Sequence, residues 1–310
     1  MVDLQSVTVR VPATTANIGP GFDCLGAALA LYNTFSFTSA PSDQSSRVNI
    51  RVTGLDADRV STGEQNLAYQ SFLKVFSFLE REVPKVDLDI DLQVPLARGL
   101  GSSATAIVGG LLGGNAIAGS PLSSAELMSM AIALEGHPDN VVPALKGSCQ
   151  LTTADASGGW QVCEIPWNSA LVPVVAIPNF ELSTAEARQA LPQTYSRADA
   201  IFNTAHMGLL IRAIETGNPD WLQTALQDRI HQPYRQPLIY GYDAVRETAL
   251  ATGAHGVVIS GAGPTILALT SSTHATAVKA AMISAWTQAG FEPQAHTLAI
   301  DTVGAIATIH

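Results

Sequence analysis

The sequence predicts an α+β protein of two lobes, and three observations indicate this fold class. Strict alternation of apolar and polar residues, as at 88–94, is typical of half-exposed strands. A glycine-rich turn joins that strand to an apolar helical stretch that begins near Ser102. Helical segments fill 184–252, and alternation returns only after residue 256. The strands therefore fall into two groups, which predicts two packed lobes.

The N-terminal half is predicted to consist of strands and helices in turn. Valines alternate with polar residues over 7–11, which predicts the first strand. The polar loop 41–47 leads to a second alternation at 48–52. Residues 67–79 show helical spacing, and the strand at 88–94 carries three aspartates on a face that we expect to be solvated.

The later segments continue the same mixture. Ser123 and Glu126 have the spacing of a capping box, so a helix is predicted from there to Glu135. We place the lobe boundary so that the N-terminal lobe is 1–168 and the C-terminal lobe is 169–310, with the substrate site between them. The predicted strands and turns of the second lobe, with its last helix, are 171–177, 257–259, 261–263, 265–269, 275–289 and 296–300.

The composition excludes several classes of function. With 47% hydrophobic and 14% charged residues, the chain is globular rather than disordered. Its net charge of −10 repels nucleic acid and anionic lipid, so no nucleic-acid or membrane partner is expected. Cys24, Cys149 and Cys163 fit neither a disulfide framework nor a CxxC metal pair, which indicates free thiols in a reducing compartment. We therefore expect a soluble, cytoplasmic protein.

The segment PLARGLGSSAT, residues 95–105, has the pattern of a phosphate-binding loop. Gly99 and Gly101 allow a tight turn and a close approach to a ligand. Ser102 and Ser103 stand at a helix start, where free N–H groups and the helix dipole favour an anion. A purely structural strand–helix turn would show the same pattern. The next helix holds four glycines, each costing about 1 kcal/mol relative to alanine, which predicts close packing.

The pattern P-x-x-x-G-L-G-S-S-A resembles the phosphate loop of the GHMP kinases. PATTANIGPGFDCLG resembles the first motif of that family, and GVVISGAGPTILAL resembles its third, which backs the phosphate loop. The resemblance implies a two-lobed GHMP kinase fold, with an N-terminal lobe like ribosomal protein S5 domain 2 and a ferredoxin-like C-terminal lobe. It also implies ATP as co-substrate. The implied ATP-binding residues are Pro95, Leu96, Ala97, Arg98, Gly99, Leu100, Gly101, Ser102, Ser103, Ala104 and Thr105.

Within the family, the first motif resembles that of the homoserine kinases. This implies that Asn17 and Asp23 bind an amino-acid substrate, L-homoserine, although both could simply satisfy their own turn. Arg188 and Arg235 are implied to bind the substrate carboxylate, for which the planar guanidinium is suited. Each could instead be an ordinary surface arginine. The implied product is O-phospho-L-homoserine, an intermediate of threonine biosynthesis.

The segment LEGHPDNVVPAL supplies the metal and catalytic positions that the resemblance implies. Glu135, with Ser103, is implied to hold Mg²⁺, an ion that prefers oxygen ligands. Asn140, implied to bind substrate, matches a position where mevalonate kinases are expected to carry an aspartate base. An amide cannot take a proton at neutral pH, so the substrate hydroxyl would lose its proton directly to the γ-phosphate.

Asn17, Asn140 and Thr184 are the implied catalytic positions. Thr184 could alternatively cap the helix that carries Arg188. Asp139 and Asn140 are expected in an extended loop beyond a helix, with side chains that point apart, and His137 is expected to be structural.

Two other functions remain open on the sequence alone. The chain could be another GHMP kinase that acts on an isoprenoid or sugar alcohol, or a non-catalytic small-molecule sensor with the same fold. Loss of Glu135 or of the Gly-Ser-Ser turn would favour a sensor, and the chain retains both. The sequence is compatible with a homodimer.

Overall fold

The computed structural model describes residues 6–40 and 46–310, so most of the polar loop predicted at 41–47 lies outside the described residues. The chain forms two β-sheets with ten α-helices among the described residues, which confirms the α+β prediction. The first sheet contains β1 (Ser6–Ala16), β2 (Leu25–Ser39), β3 (Val48–Gly54), β4 (Val86–Leu92), β5 (Cys149–Ala154), β6 (Trp160–Ile165) and β11 (Ile306–Ile309). The second contains β7 (Val172–Ile177), β8 (Ala254–Ile259), β9 (Ile266–Thr270) and β10 (Gln294–Thr297).

The helices lie between these strands in sequence, and the two longest are α6 and α2. They are α1 (Leu67–Phe78), α2 (Ser102–Ile117), α3 (Ser124–Glu135), α4 (Pro138–Lys146), α5 (Thr184–Gln189), α6 (Arg197–Thr216), α7 (Pro219–Ala225), α8 (Gln232–Arg235), α9 (Tyr242–Ala251) and α10 (Ala275–Gln288).

The first sheet is built around the long strand β2. Its order is β11-β1-β2-β4-β3, and β5 joins the other end of β2 and pairs with β6. Only β3 and β4 run parallel in the described sheet, because α1 crosses over between them. The aspartates of β4 alternate with buried Val86, Leu88, Ile90 and Leu92, as predicted. The apolar faces of these strands pack against α1 to α4 and form one core.

The second sheet is antiparallel, in the order β10-β7-β9-β8, and is covered on both faces. Val174 and Ile266 face α9 and α10, whereas Val175 and Leu267 face a separate core. That second core also contains Leu25 of β2 and Leu100 of the glycine-rich loop. The two sheets therefore share a core at the point where the loop lies.

The last strand predicted for the second lobe has the wrong bounds. The alternation at 296–300 predicted a strand there, but β10 is Gln294–Thr297. Leu298 then donates to Pro173 O, and Ile300 bridges to Leu29 of β2. The apolar alternation continues to residue 300, but the backbone of this segment pairs with the second sheet up to Leu298 and with the first sheet at Ile300.

The strand β11 pairs with β1 in the first sheet, with Val7 opposite Ile309. The chain therefore returns to its first sheet after completing the second. The lobe boundary at 168 and 169 stays a prediction.

Two further observations concern the chain as a whole. Cys24, Cys149 and Cys163 are free thiols, as predicted. No helix in the described ranges combines the length and apolarity that crossing a bilayer would require.

The glycines of α2 allow the close packing that their number predicted. A Cβ on Gly110 would overlap the carbonyl oxygen of Ala68 in α1, and one on Gly113 would overlap the Phe37 ring of β2. The helix can therefore lie close to both α1 and β2, which fixes its N-terminus at the glycine-rich loop.

We expect Gly110→Ala to lower the free energy of unfolding by about 1–3 kcal/mol, because the added methyl group meets backbone that cannot move aside. Gly208→Ala is the matched control, since Gly208 lies in α6 with open space around it. The control should raise the free energy of unfolding by about 0.5–1 kcal/mol through helix propensity. Urea unfolding checks both values. Equal effects of the two substitutions would contradict the packing explanation.

Candidate active site

The glycine-rich loop 95–105 is shaped by two left-handed glycines. Gly99 has φ 76° and Gly101 has φ 69°. A side chain at Gly99 would overlap the carbonyl oxygen of Ser260, and one at Gly101 would overlap the Thr14 hydroxyl. Only glycine satisfies both the dihedral angles and the available space, so the loop carries the residues that its conformation requires.

Hydrogen bonds hold this loop from two sides. Ser260 Oγ donates to Gly99 O at 2.7 Å, and Thr265 N donates to Arg98 O at 3.2 Å. From the other side, Thr14 N donates to Leu100 O at 3.1 Å. Ser260 and Thr265 flank the turn 261–263, so that turn backs the loop. In the described chain the N-cap Gly101 provides no side-chain cap, which leaves the first N–H groups of α2 open to a ligand.

The side chains of the loop divide into two sets. Leu100 and Ala104 are buried in the two cores, so they could contact a nucleotide only through the backbone. Thr105 is also buried, where it accepts from Asn33 Nδ2 at 2.8 Å and donates to Ser102 O at 2.8 Å. The loop residues that line the cleft above it are Ala97, Arg98, Gly99, Gly101, Ser102 and Ser103.

Ser103 and Glu135 lie side by side at this cleft. Ser103 Oγ donates to Glu135 Oε1 at 2.7 Å. Burial raises the pKa of Glu135, and the Ser103 hydrogen bond and the nearby His137 oppose that shift. A hydroxyl and a carboxylate this close provide the hard oxygen ligands that a divalent cation prefers.

Asp139 and Asn140 lie in the first turn of α4, which corrects the prediction of an extended loop. Pro138 begins that helix, and its fixed φ suits the first helical position. Their side chains do not point apart, because Asn140 Nδ2 donates to Asp139 Oδ1 at 3.4 Å. Asn140 Oδ1 in turn accepts from Thr14 Oγ1 at 2.8 Å. The amide therefore lies beside Gly101 and faces the cleft.

Asp139 is fully buried, and the sequence reasoning assigned it no role in the site. Its Oδ1 lies 2.7 Å from His137 Nδ1, while Oδ2 has no hydrogen-bond partner among residues 6–40 and 46–310. Burial alone would lower the pKa of His137, but Asp139 and Glu135 outweigh it and the pKa is raised. His137, Asp139 and Asp23 each place a ligand atom within 4.8 Å of the others. His137 also lines the cleft, and the structural role expected for it stays a prediction.

The first motif forms a turn that Asn17 holds. Asn17 and Asp23 are left-handed, with φ 56° and 54°, which asparagine and aspartate tolerate. Asn17 Oδ1 accepts from the backbone of Asp23 at 2.8 Å, and Nδ2 donates to Gly261 O at 3.0 Å. Both ends of the buried amide are thus engaged in structure, and Asn17 still lines the cleft.

Arg188, on α5, forms a two-bond ion pair with Asp23. Its two terminal nitrogens donate to the two carboxylate oxygens at 2.6 and 2.9 Å. Ser183, rather than Thr184, is the N-cap of α5, because its hydroxyl accepts from Glu186 N at 3.1 Å. The capping alternative for Thr184 is therefore wrong, and Thr184 lines the cleft instead.

Arg235 is 1% exposed, so it is not the surface arginine that the sequence left open. Its Nη1 donates to Gly261 O at 3.1 Å and lies 3.4 Å from His231 Nδ1. Burial lowers the pKa of His231. Neutral His231 can donate from Nε2 to Gly19 O at 2.8 Å and accept from Arg235 at Nδ1. Among the described residues Nη2 has no partner, which leaves it available to a ligand.

Asp228 holds the short helix α8 that carries Arg235. Its Oδ2 accepts from the backbone of His231 and Gln232 at 2.8 and 2.7 Å. Its Oδ1 accepts from Ile230 N at 3.0 Å and from Asn203 Nδ2 at 2.6 Å. A four-residue helix has little stability of its own, so this carboxylate positions the guanidinium.

A second cavity, of about 280 Å³, lies on the other side of the glycine-rich loop and was not predicted. It shares Ala97, Ser102 and Ser103 with the cleft and is otherwise mostly apolar. Its remaining walls include Phe35, Val60, Leu67, Ala68, Ile90 and Leu96. These residues come from β2, α1, β4 and two loops, so no local sequence pattern could have identified the cavity. A larger cavity of about 770 Å³ in the C-terminal half contains none of the predicted site residues.

The sequence matches two family models and several curated proteins of one kinase family. The model of the GHMP kinases N terminal domain matches residues 66–148, and that of the GHMP kinases C terminal domain matches residues 210–288. Homoserine kinase from Trichodesmium erythraeum is 60% identical and covers 99% of both chains. Homoserine kinase from Trichormus variabilis is 59% identical and covers 97% of this chain and 99% of its own.

Solved structures of kinases from this family have the same fold. The crystal structure of homoserine kinase from Cytophaga hutchinsonii superposes with a TM-score of 0.88 at 28% identity, over 98% of this chain and 97% of the other. Mevalonate kinase from L. major, in complex with R-mevalonate, shares the fold at a TM-score of 0.72 and 15% identity, over 95% and 96%.

We expect Asp228→Asn to lower the free energy of unfolding by about 2–3 kcal/mol, because an amide nitrogen would face backbone donors that now bond to a carboxylate. Asp243→Asn, at an exposed position in the first turn of α9, is the control and should change it by about 0.5 kcal/mol or less. Urea unfolding measures both. A loss no larger than that of the control would show that Asp228 does not hold α8.

Proposed function

The chain belongs to the homoserine kinases of the GHMP kinase family, and we propose that it transfers the γ-phosphoryl group of ATP to L-homoserine in the cleft described above. The family, the GHMP kinase fold and the ATP-dependent kinase class, all predicted from the motifs, are confirmed by the same relatives. The product, O-phospho-L-homoserine, is an intermediate of threonine biosynthesis.

One observation carries the substrate assignment: the cleft holds receptors for both charges of an amino acid next to a phosphate loop. Asp23 and Asp139 provide carboxylates within 4.8 Å of each other beside the cleft, where they contact Arg188 and His137, and Arg188 and Arg235 line the cleft itself. Mevalonate and sugars lack an ammonium group, so they would leave the acidic half unused.

The buried carboxylate of Asp139 supports an ammonium site. An unpaired buried oxygen is destabilising, because its hydration is lost without a replacement. A substrate ammonium between Asp139 and Asp23 would supply the missing partner. The substrate carboxylate would then accept from Arg235, whose Nη2 makes no hydrogen bond within the described residues, and from Arg188.

ATP would lie across the glycine-rich loop. The backbone N–H groups of 99–103 would hold the phosphates at the start of α2, where the helix dipole also favours them. The apolar cavity beside the loop would take the nucleoside, because it adjoins Ser102 and Ser103 and is lined by aliphatic and aromatic groups.

Ser103 and Glu135 would hold Mg²⁺, and their hydroxyl and carboxylate oxygens fit this hard cation. The ion would neutralise the negative charge that develops on the leaving oxygen of the phosphates. The side chains of this chain then have to place the homoserine hydroxyl in line with the phosphorus atom.

Positioning is the main catalytic contribution of the protein in this proposal. The Asn140 amide is fixed by Thr14 and faces the cleft, where its Nδ2 can donate to a phosphate oxygen or to the substrate hydroxyl. Asn17 fixes the turn that carries Asp23, and Thr184 lines the opposite wall. No base is required, since a loose phosphoryl-transfer transition state needs little early deprotonation. The hydroxyl proton would pass directly to the transferred phosphate.

A coupled ADP-release assay with Mg²⁺ tests the substrate assignment. We expect turnover with L-homoserine and little with D-homoserine, because its hydroxyl chain would point away from the phosphate loop when its ammonium and carboxylate are bound in the same places. Mevalonate, galactose and shikimate are the comparison alcohols. Turnover of one of these without turnover of L-homoserine would contradict the proposal.

We expect Ser103→Ala and Glu135→Gln each to lower kcat by about 10²–10³, because both groups act on charge that changes at the transition state. Glu247→Gln, at an exposed position on α9, should leave kcat unchanged. Steady-state kinetics at several Mg²⁺ concentrations separate metal binding from turnover. Normal activity of Glu135→Gln at limiting Mg²⁺ would remove Glu135 from the metal site.

We expect Asn140→Asp not to raise kcat, although it places a potential base at the cleft. The new carboxylate would lie beside Asp139 and near the γ-phosphate, and like charges about 4 Å apart repel by roughly 1–4 kcal/mol. A fall of about tenfold or more in kcat is therefore predicted. Single-turnover kinetics measure the chemical step directly. A large rate gain would show that base catalysis was the missing element.

A further inference from the structure

The Asp23–Arg188 ion pair occupies both charged groups that the proposed function assigns to opposite ends of the substrate. Two hydrogen bonds, of 2.6 and 2.9 Å, use both carboxylate oxygens and both terminal nitrogens of the guanidinium. The side chains are 31% and 39% exposed, so solvent and ligands can reach the pair. A substrate cannot use either group fully while this pair is closed.

The two arginines of the cleft differ in their freedom to move. Arg235 is buried and held by hydrogen bonds to Gly261 O and Ala187 O. Arg188 makes side-chain hydrogen bonds only to Asp23 within the described chain, and it lies on α5, a six-residue helix in which only Ala187 is buried. Asp23 is fixed through its backbone N–H by Asn17. Opening the pair therefore requires movement of the Arg188 side chain alone.

We propose that this pair selects zwitterions by exchange, an inference that rests on the proposed function. The substrate ammonium replaces Arg188 at Asp23, and the substrate carboxylate replaces Asp23 at Arg188. One internal ion pair is thereby exchanged for two ion pairs with the ligand, and no charge is left without a partner.

A ligand with a single charge behaves differently. An amino alcohol without a carboxylate displaces Arg188 and leaves the guanidinium without its partner. A hydroxy acid without an ammonium group displaces Asp23 from Arg188 and leaves the Asp23 carboxylate without its partner. Each such ligand loses part of its own interaction in breaking the pair, so the two charges of homoserine contribute cooperatively.

Four ligands of similar shape test the exchange in the wild-type protein: L-homoserine, aminopropanol, γ-hydroxybutyrate and propanol. Their dissociation constants are measured by calorimetry in the presence of a non-hydrolysable ATP analogue and Mg²⁺. Each gain in affinity is measured relative to propanol. We expect the gain for L-homoserine to exceed the product of the gains for aminopropanol and γ-hydroxybutyrate by about fivefold or more, the factor that corresponds to about 1 kcal/mol. Independent, multiplicative gains would overturn the proposal.

Two variants provide the reverse test. In Arg188→Leu, Asp23 has no internal partner, so aminopropanol should bind about fivefold tighter than to wild type, while L-homoserine binds more weakly. In Asp23→Asn, Arg188 has no internal charged partner, so γ-hydroxybutyrate should bind tighter than to wild type by the same factor. The matched control is Arg197→Gln, an exposed arginine at the start of α6, which should change none of these affinities.

The outcomes separate this inference from the function on which it rests. If wild type phosphorylates L-homoserine and the singly charged ligands bind no tighter to the variants, the exchange is overturned and the function stands. If wild type neither binds nor phosphorylates L-homoserine, both are overturned. Unchanged affinity for the ATP analogue confirms that the variants are folded.

Discussion

The carbonyl oxygen of Gly261 is the acceptor on which the geometry of the cleft depends. It receives a hydrogen bond from Asn17 of the first motif and another from the buried guanidinium of Arg235. The same turn lies against the glycine-rich loop, because Ser260 and Thr265 bond to the backbone of that loop. One turn therefore links Asn17 and Arg235 to the glycine-rich loop, and a shift of this turn would move all three together.

An acidic chain can hold anionic substrates because the charges in the cleft are arranged locally. The net charge of −10 would repel ATP at long range, but salt screens that repulsion beyond about 8–10 Å. The cleft is lined by the start of α2 and by Arg98, Arg188 and Arg235, whereas most acidic residues lie elsewhere. The acidic groups that do line the site are the ones that a cation or an ammonium group would neutralise.

Much of the fold could be predicted because alternation and glycine placement are local properties. The strand β4 and the capping box of α3 were recognisable from spacing alone, whereas the loop 95–105 was recognisable from spacing only as a glycine-rich strand–helix turn. The helix at Asp139 was missed, since its proline start resembles a loop in sequence. The burial of Arg235 was also not predictable, because the groups that surround it lie far away in the chain. Arg235 donates to Gly261 O, and the neighbouring His231 bonds to Gly19 O. Charge identifies candidate residues, whereas tertiary contacts decide which of them are fixed.

The return of β11 to the first sheet has a consequence for how the chain is completed during synthesis. The strand β1 emerges early and can pair with β2 at once, but its other edge has to wait for Ile306–Ile309, after every strand of the second sheet has been made. Asp301 accepts from Tyr32 in the same region, so the late segment also closes a contact against β2. A growing chain thus exposes an unpaired strand edge, a template for wrong association, until β11 has been made. The first sheet therefore does not correspond to one uninterrupted stretch of sequence, and it can be finished only after the second.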